Sequence, residues 1–180
     1  GVHYVGKMDS QSILKKVFDY VTDRTLQWDH MGEVYDQIII GDDRYDFVTG
    51  VEHQIQKLIS YFPEEAPAIR KYIKLVQAAA GTGPYFFGEK TSPAWFSHTF
   101  GRLLRYRFEK YAKKTTREVL EGLTQNQRLI ALLSAQCGNY GLTPSKSSFI
   151  IHATIVEHYL QGGSYPRGGA KKIHESILNA

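Results

Sequence analysis

Apolar and polar positions change their spacing several times along the chain. Val2, His3, Tyr4 and Val5 alternate between Gly1 and Gly6, which predicts a short strand. Ile13, Leu14, Val17, Phe18 and Val21 then share one side of a helix, with Ser10 or Asp9 as its expected N-cap. Between residues 26 and 49 the spacing becomes extended. Residues 26–31 alternate, and residues 35–40 and 44–48 flank Gly41, Asp42 and Asp43 as a hairpin turn. A small antiparallel sheet follows from these runs.

After Gly50 the pattern is helical almost throughout. Residues 51–62 make one amphipathic helix, stopped by Pro63. Residues 64–80 make another, with Glu64 and Glu65 in its first turn and Gly81 beyond its last. The glycine-bounded aromatic stretch 81–88 is expected to be a loop. Helices are expected over 95–120 and 125–137, and a further one from Pro144, suited to a first helical position, to residue 160. The glycine-rich stretch 162–169 is expected to be a second loop, before a last amphipathic segment carrying Ile173, Ile177 and Leu178. The fold class is therefore α+β: a small antiparallel sheet followed by a predominantly helical segment, within one domain.

Composition removes several classes. With 42% hydrophobic and 22% charged residues the chain is not disordered. Its longest apolar runs fall far short of the ~20 residues a membrane-crossing helix needs. The first residues lack the basic and apolar regions of a secretory signal, and Cys137, the single cysteine, excludes an internal disulfide or a thiolate metal cage. The net charge of +4 is unevenly placed: Arg102, Arg105, Arg107, Lys110, Lys113, Lys114 and Arg117 face only Glu109, so the rest of the chain is net acidic.

The candidate chemistry has an ordinary alternative at each point. No Gly-x-Gly-x-x-Gly and no phosphate-loop lysine motif occurs, so the chain has no nucleotide cradle of its own. Tyr165, Pro166, Arg167, Gly168 and Gly169 place an arginine and two glycines ahead of a helix, which suits a polar or anionic ligand; a flexible connector is the commoner meaning of such a loop. The seven histidines are scattered, and His152 and His158 point to different faces of a helix, so no metal site is expected. Cys137 lacks the surroundings of a catalytic thiol and reads as a packed apolar residue. The basic segment 100–117 is open to three readings: a membrane-surface helix, a single-strand nucleic-acid binder, or a helix with a core-facing stripe and a solvated back. The aromatics Tyr85, Phe86, Phe87, Trp95, Phe96 and Phe100 could wall an apolar cavity or belong to the core.

A longer constellation resembles a known family. Residues 140–145 (Tyr-Gly-Leu-Thr-Pro-Ser), Ser148-Phe149, His152-Ala153, His158-Tyr159, Gly162-Gly163 and residues 165–169 stand in an order and spacing similar to the retinol saturase and phytoene desaturase family of FAD-dependent oxidoreductases. The opening Gly-Val-His-Tyr-Val-Gly, Trp28, the turn at residues 62–65 and residues 71–76 extend the resemblance over nearly the whole chain, most weakly over 82–115. The resemblance implies the substrate-side portion of a longer enzyme, cut from it and inactive alone, whose flavin-binding segments lie elsewhere in cis. FAD is expected in the full-length protein and none bound to this portion.

By the same resemblance, the flavin would exchange hydride equivalents with a conjugated retinoid or carotenoid polyene, saturating, desaturating or isomerising it. His3, Tyr4, Tyr165, Pro166, Arg167, Gly168 and Gly169 would lie close to flavin or substrate. Tyr85, Phe86, Phe87, Trp95 and Phe96 would line a substrate channel, and Arg102, Arg105, Lys110 and Lys113 would meet a membrane surface. The implied location is intracellular, with peripheral membrane association and no nucleic-acid partner. The alternative is a stand-alone lipid- or nucleic-acid-binding module built on the basic helix.

Overall fold

The computed structural model describes residues 4–180, apart from the side chains of Ala94, Phe96, Phe100 and Leu104. In chain order its elements are β1 (Val5–Gly6), α1 (Ile13–Val21), β2 (Trp28–His30), β3 (Val34–Ile40), β4 (Asp43–Val48), α2 (Val51–Tyr61) and α3 (Ala66–Ala80). There follow α4 (Gly83–Thr91), α5 (Ala94–Ala112), α6 (Thr116–Glu121), α7 (Gln127–Leu133), α8 (Phe149–Tyr159), β5 (Gly163–Pro166) and α9 (Lys171–Leu178). The fold is α+β, with helices dominant and all strand pairs antiparallel among the described residues. It divides into two compact units: residues 1–57 with 158–180, and residues 58–157. Among the described residues no helix is long and apolar enough to cross a membrane.

The first unit holds every strand. β3 and β4 form a hairpin in which Ile40 faces Asp43, and Gly41 supplies the positive φ of +63° at the first turn position. β1, β5 and β2 form a separate three-stranded sheet with β5 at its centre. Residues 163–166 are therefore a strand, not the expected loop. Gly163 lacks a side chain because a Cβ there would lie 2.8 Å from Cδ2 of Tyr4, so the glycine marks a close approach inside a sheet. Helix α1 also starts later than expected. Ser12 accepts from the Leu14 amide at 3.2 Å and is the cap, while Asp9 Oδ1 takes the Gln11 amide in the preceding turn.

The second unit is helical, and its core follows from helical spacing. Ile69, Tyr72, Ile73, Val76 and Ala79 line the buried side of α3, joined in the core by Leu120, Leu129, Leu132 and Phe149. Each large apolar side chain buried there stabilises by about 1.5–3 kcal/mol. Residues 83–91 are helical rather than a loop, because Pro84 is tolerated in a first turn and Phe86 stacks on Phe108 with ring centres 4.0 Å apart.

The helix expected over 95–120 is broken after Ala112. Thr115 and Glu118 form a capping box that starts α6: Thr115 Oγ1 accepts from the Glu118 amide at 3.2 Å and Glu118 Oε2 from the Thr115 amide at 2.7 Å. The first free amides of α6 explain why Pro144 begins no helix. The Pro144 carbonyl accepts from the Arg117 amide and the Ser147 carbonyl from the Thr116 amide, both at 2.9 Å, so this segment caps α6 and α8 begins only at Phe149. Likewise α7 runs over Gln127–Leu133, capped by Asn126, and passes into a 3-10 turn over Ala135–Asn139.

Candidate functional site

In the first unit the strand order brings the two ends of the sequence together. Val5 lies opposite Ser164 and Trp28 opposite Pro166. Tyr4 packs edge-on against Tyr159, ring centres 4.9 Å apart, and against Tyr35 at 6.0 Å. Its hydroxyl donates to Asp36 Oδ2 at 2.6 Å. Burial, with the Asp36 carboxylate beside it, pushes the Tyr4 hydroxyl far above the ordinary tyrosine range, so it stays protonated and remains a donor. The Tyr159 hydroxyl donates to the Tyr4 carbonyl at 3.3 Å, and burial raises it as well. A wall of three tyrosine rings thus stands beside β1 and the Gly163 end of β5.

A cleft of about 470 Å³ opens in the same unit, with Lys7, Asp9, Trp28, His30, Gln161 and Ser164 in its lining and none of the three tyrosines. The Trp28 indole rests on Phe18, and its Nε1 is buried with no hydrogen-bond partner among the described residues. His30 Nδ1 accepts from the Gly32 amide at 3.0 Å, which leaves the neutral ring's proton on Nε2. Gly162, at φ +89°, lies so close that a Cβ would fall 3.1 Å from His30 Nε2. The cleft therefore combines the indole of Trp28 and the imidazole of His30 with the charged side chains of Lys7 and Asp9, a mixed rather than purely apolar lining.

At the far end of β5 Arg167 is held by two neighbouring side chains. Arg167 Nη2 and Nε reach Asp29 Oδ1 at 2.6 Å and 3.0 Å, and Nη1 reaches Gln27 Oε1 at 2.8 Å. Asp29 is held below the usual carboxylate range by its hydrogen bonds to Arg167, and the guanidinium is raised in turn. Gly168 and Gly169 follow at φ +88° and +91° and turn the chain into α9.

The chain is 35% identical over 181 residues to an all-trans-retinol 13,14-reductase of Homo sapiens, and 34% identical over 182 residues to one of Danio rerio. In each case 96% of this chain is covered. The chain is homologous to the all-trans-retinol 13,14-reductases. It spans about 30% of the length of the curated relatives it matches. One further relative, 29% identical over 187 residues, is named an inactive all-trans-retinol 13,14-reductase of Danio rerio. No family model matches the chain.

Against this reductase background, the structure places the expected site residues in two separate groups. Tyr4 immediately precedes β1, and Tyr165 and Pro166 end β5 of the same sheet, with residues 167–169 just beyond it; His3 lies outside the described residues. Tyr165 is partly exposed, and Arg167, engaged by Asp29 and Gln27, lines a cleft of about 350 Å³ together with Leu26, Lys172 and Glu175. In the second unit Tyr85, Phe87 and Trp95 point to solvent with 64%, 65% and 67% exposure, whereas Phe86 turns onto Phe108. The Phe96 side chain lies outside the described residues.

The expected membrane-facing cations also divide. Arg102 and Lys110 are exposed, but Lys113 pairs with Glu109 at 2.9 Å and Arg105 pairs with Glu89 at 2.6 Å. Glu89 is fully buried and also accepts from Ser97 Oγ; these contacts hold it below the ordinary carboxylate range.

Asp36, His30 and Glu89 carried no signal in the sequence. Trp28 and Tyr159 did stand within the reductase-like pattern but had no assigned role there. Among the described residues no group of three or more His, Cys, Asp or Glu could hold a metal ion.

Proposed function

We propose that the chain is the substrate-side part of an FAD-dependent oxidoreductase that acts on the conjugated double bonds of a retinoid. The observation that carries this reading is the identity of 33–35% to several all-trans-retinol 13,14-reductases along 96% of the chain. A retinoid is a long apolar polyene with one hydroxyl, and the cleft around Trp28 and His30 offers a polar end for that hydroxyl in the His30 N–H.

The residues present do not fit the flavin's diphosphate. The Gly-x-Gly-x-x-Gly spacing that brings backbone N–H groups onto a pyrophosphate occurs nowhere in the chain. We therefore assign the flavin to other parts of a longer protein in cis, and derive no redox step from these residues. The part played by this chain is to bind, orient and dehydrate the polyene.

The exposed Tyr85, Phe87, Trp95, Leu103 and Tyr106 on α4 and α5, beside Arg102 and Lys110, support peripheral contact with an intracellular membrane, from which a lipophilic substrate would arrive. Flavin titration tests the assignment of roles. The 180-residue chain should leave FAD absorbance unshifted, and the longer protein should purify yellow. Stoichiometric FAD binding by the 180 residues, or a colourless longer protein, would contradict it.

A further inference from the structure

A second cleft, entirely within the helical unit, has a chemistry of its own and shares only Lys110 with the proposed membrane contact. It measures about 240 Å³ and lies among α3, α5, α6 and α8. Its walls include the apolar groups of Leu75, Val119, Leu123 and Phe149, the last fully buried. Three exposed lysines, Lys71, Lys110 and Lys114, stand in the same lining.

None of these ammonium groups makes an ion pair among the described residues, although the neighbouring Lys113 does so with Glu109. The one carboxylate in the lining is already engaged. Glu118 Oε2 accepts from the Thr115 amide at 2.7 Å and from Thr115 Oγ1 at 2.8 Å, as half of the capping box. Three cations thus stand around an apolar floor with one carboxylate, Glu118, which Lys114 attracts, so the lining keeps an excess of positive charge.

We propose that this cleft binds the head and first carbons of a free fatty-acid-type carboxylate. The carboxylate offsets the excess positive charge of the lining, and the carbons that follow it cover Leu75, Val119 and Leu123. Charge complementarity selects an anion, and the apolar floor selects an anion with a hydrocarbon tail over inorganic phosphate. The volume lies below the ~300–1,000 Å³ of pockets that enclose a whole drug-sized ligand. The end of a long acyl chain therefore stays outside.

The test is decanoate titration of the full chain at low salt, followed through the methyl resonances of Leu75, Val119 and Leu123. Saturable shifts are expected, weakening as salt screens the lysines. Decanol should bind at least ten-fold more weakly. The triple variant Lys71→Gln, Lys110→Gln, Lys114→Gln should lose at least ten-fold in affinity, and Lys113→Gln should bind as the unmodified chain does.

Equal binding of decanol to the unmodified chain, or unchanged decanoate binding by the triple variant, would overturn the proposal. So would decanoate leaving these methyls unmoved while anionic phosphatidylserine vesicles bind through the same three lysines, because that result assigns the cleft to a membrane surface.

Discussion

His152 Nε2 lies 2.8 Å from the hydroxyl of Tyr72, and both side chains are closed to solvent. The other ring nitrogen, Nδ1, is 3.1 Å from the Tyr140 hydroxyl, so the imidazole is held at both ends inside the helical unit. Burial lowers His152 from its ordinary 6.5 to about 4. The unfolded chain therefore binds a proton between those values that the folded chain does not. Stability is complete above pH 6.5 and falls as pH drops toward 4, by about 3 kcal/mol from this one group. Urea unfolding at pH 7.5 and pH 4 should show this loss, and His152→Gln, less stable at neutral pH, should show a loss smaller by that amount. Parallel pH profiles would contradict the assignment.

Gly101 and Gly88 should respond to alanine in opposite directions. Both lie within helices, where alanine is intrinsically better by about 1 kcal/mol. A Cβ on Gly88 meets nothing within 4 Å, so Gly88→Ala should stabilise by a few tenths to ~1 kcal/mol. On Gly101 it would lie 2.6 Å from Glu89 Oε1 and 3.0 Å from Arg105 Nη1, against a carboxylate locked from several sides. Gly101→Ala should therefore destabilise, by about 1–3 kcal/mol. Thermal unfolding of the two variants reads the contrast directly.

The Asp29–Arg167 contact makes its own pH prediction. The hydrogen bonds from Arg167 lower Asp29, so the pair is intact at neutral pH and is lost as pH falls through the depressed value. In Arg167→Ala the Asp29 carboxyl should titrate higher, back toward its ordinary range, as followed by carboxyl carbon NMR. An unmoved midpoint would show that Arg167 is not the cause.

How much of this was readable in advance depended on whether the cause was local. The periodic run through Ile69, Ile73 and Val76 identified α3, because a single helical face carries its own signal. The capping box at Thr115 and Glu118 was equally local, yet it sat inside an otherwise continuous amphipathic pattern. The central strand β5 was hidden by the glycines in and around it; Gly163, inside it, makes room for the Tyr4 ring nearly 160 positions away. The site shows the same division. Tyr4 and Gly163 were legible only through a family pattern, while Asp36 gained meaning only when the fold brought it to the Tyr4 hydroxyl.

The exposed aromatics on α4 and α5 should insert at a lipid surface. Trp95 emission should shift to the blue with anionic vesicles at low salt, and Tyr85→Ser with Phe87→Ser should weaken binding several-fold. Absence of binding at low ionic strength would remove membrane contact from the account.

The most direct test of the central claim is a single turnover of the longer protein, its flavin reduced under anaerobic conditions and mixed with all-trans-retinol. The account predicts that the flavin reoxidises as a retinol carrying two more hydrogens appears in equal amount. A flavin that stays reduced beside unchanged retinol would contradict it.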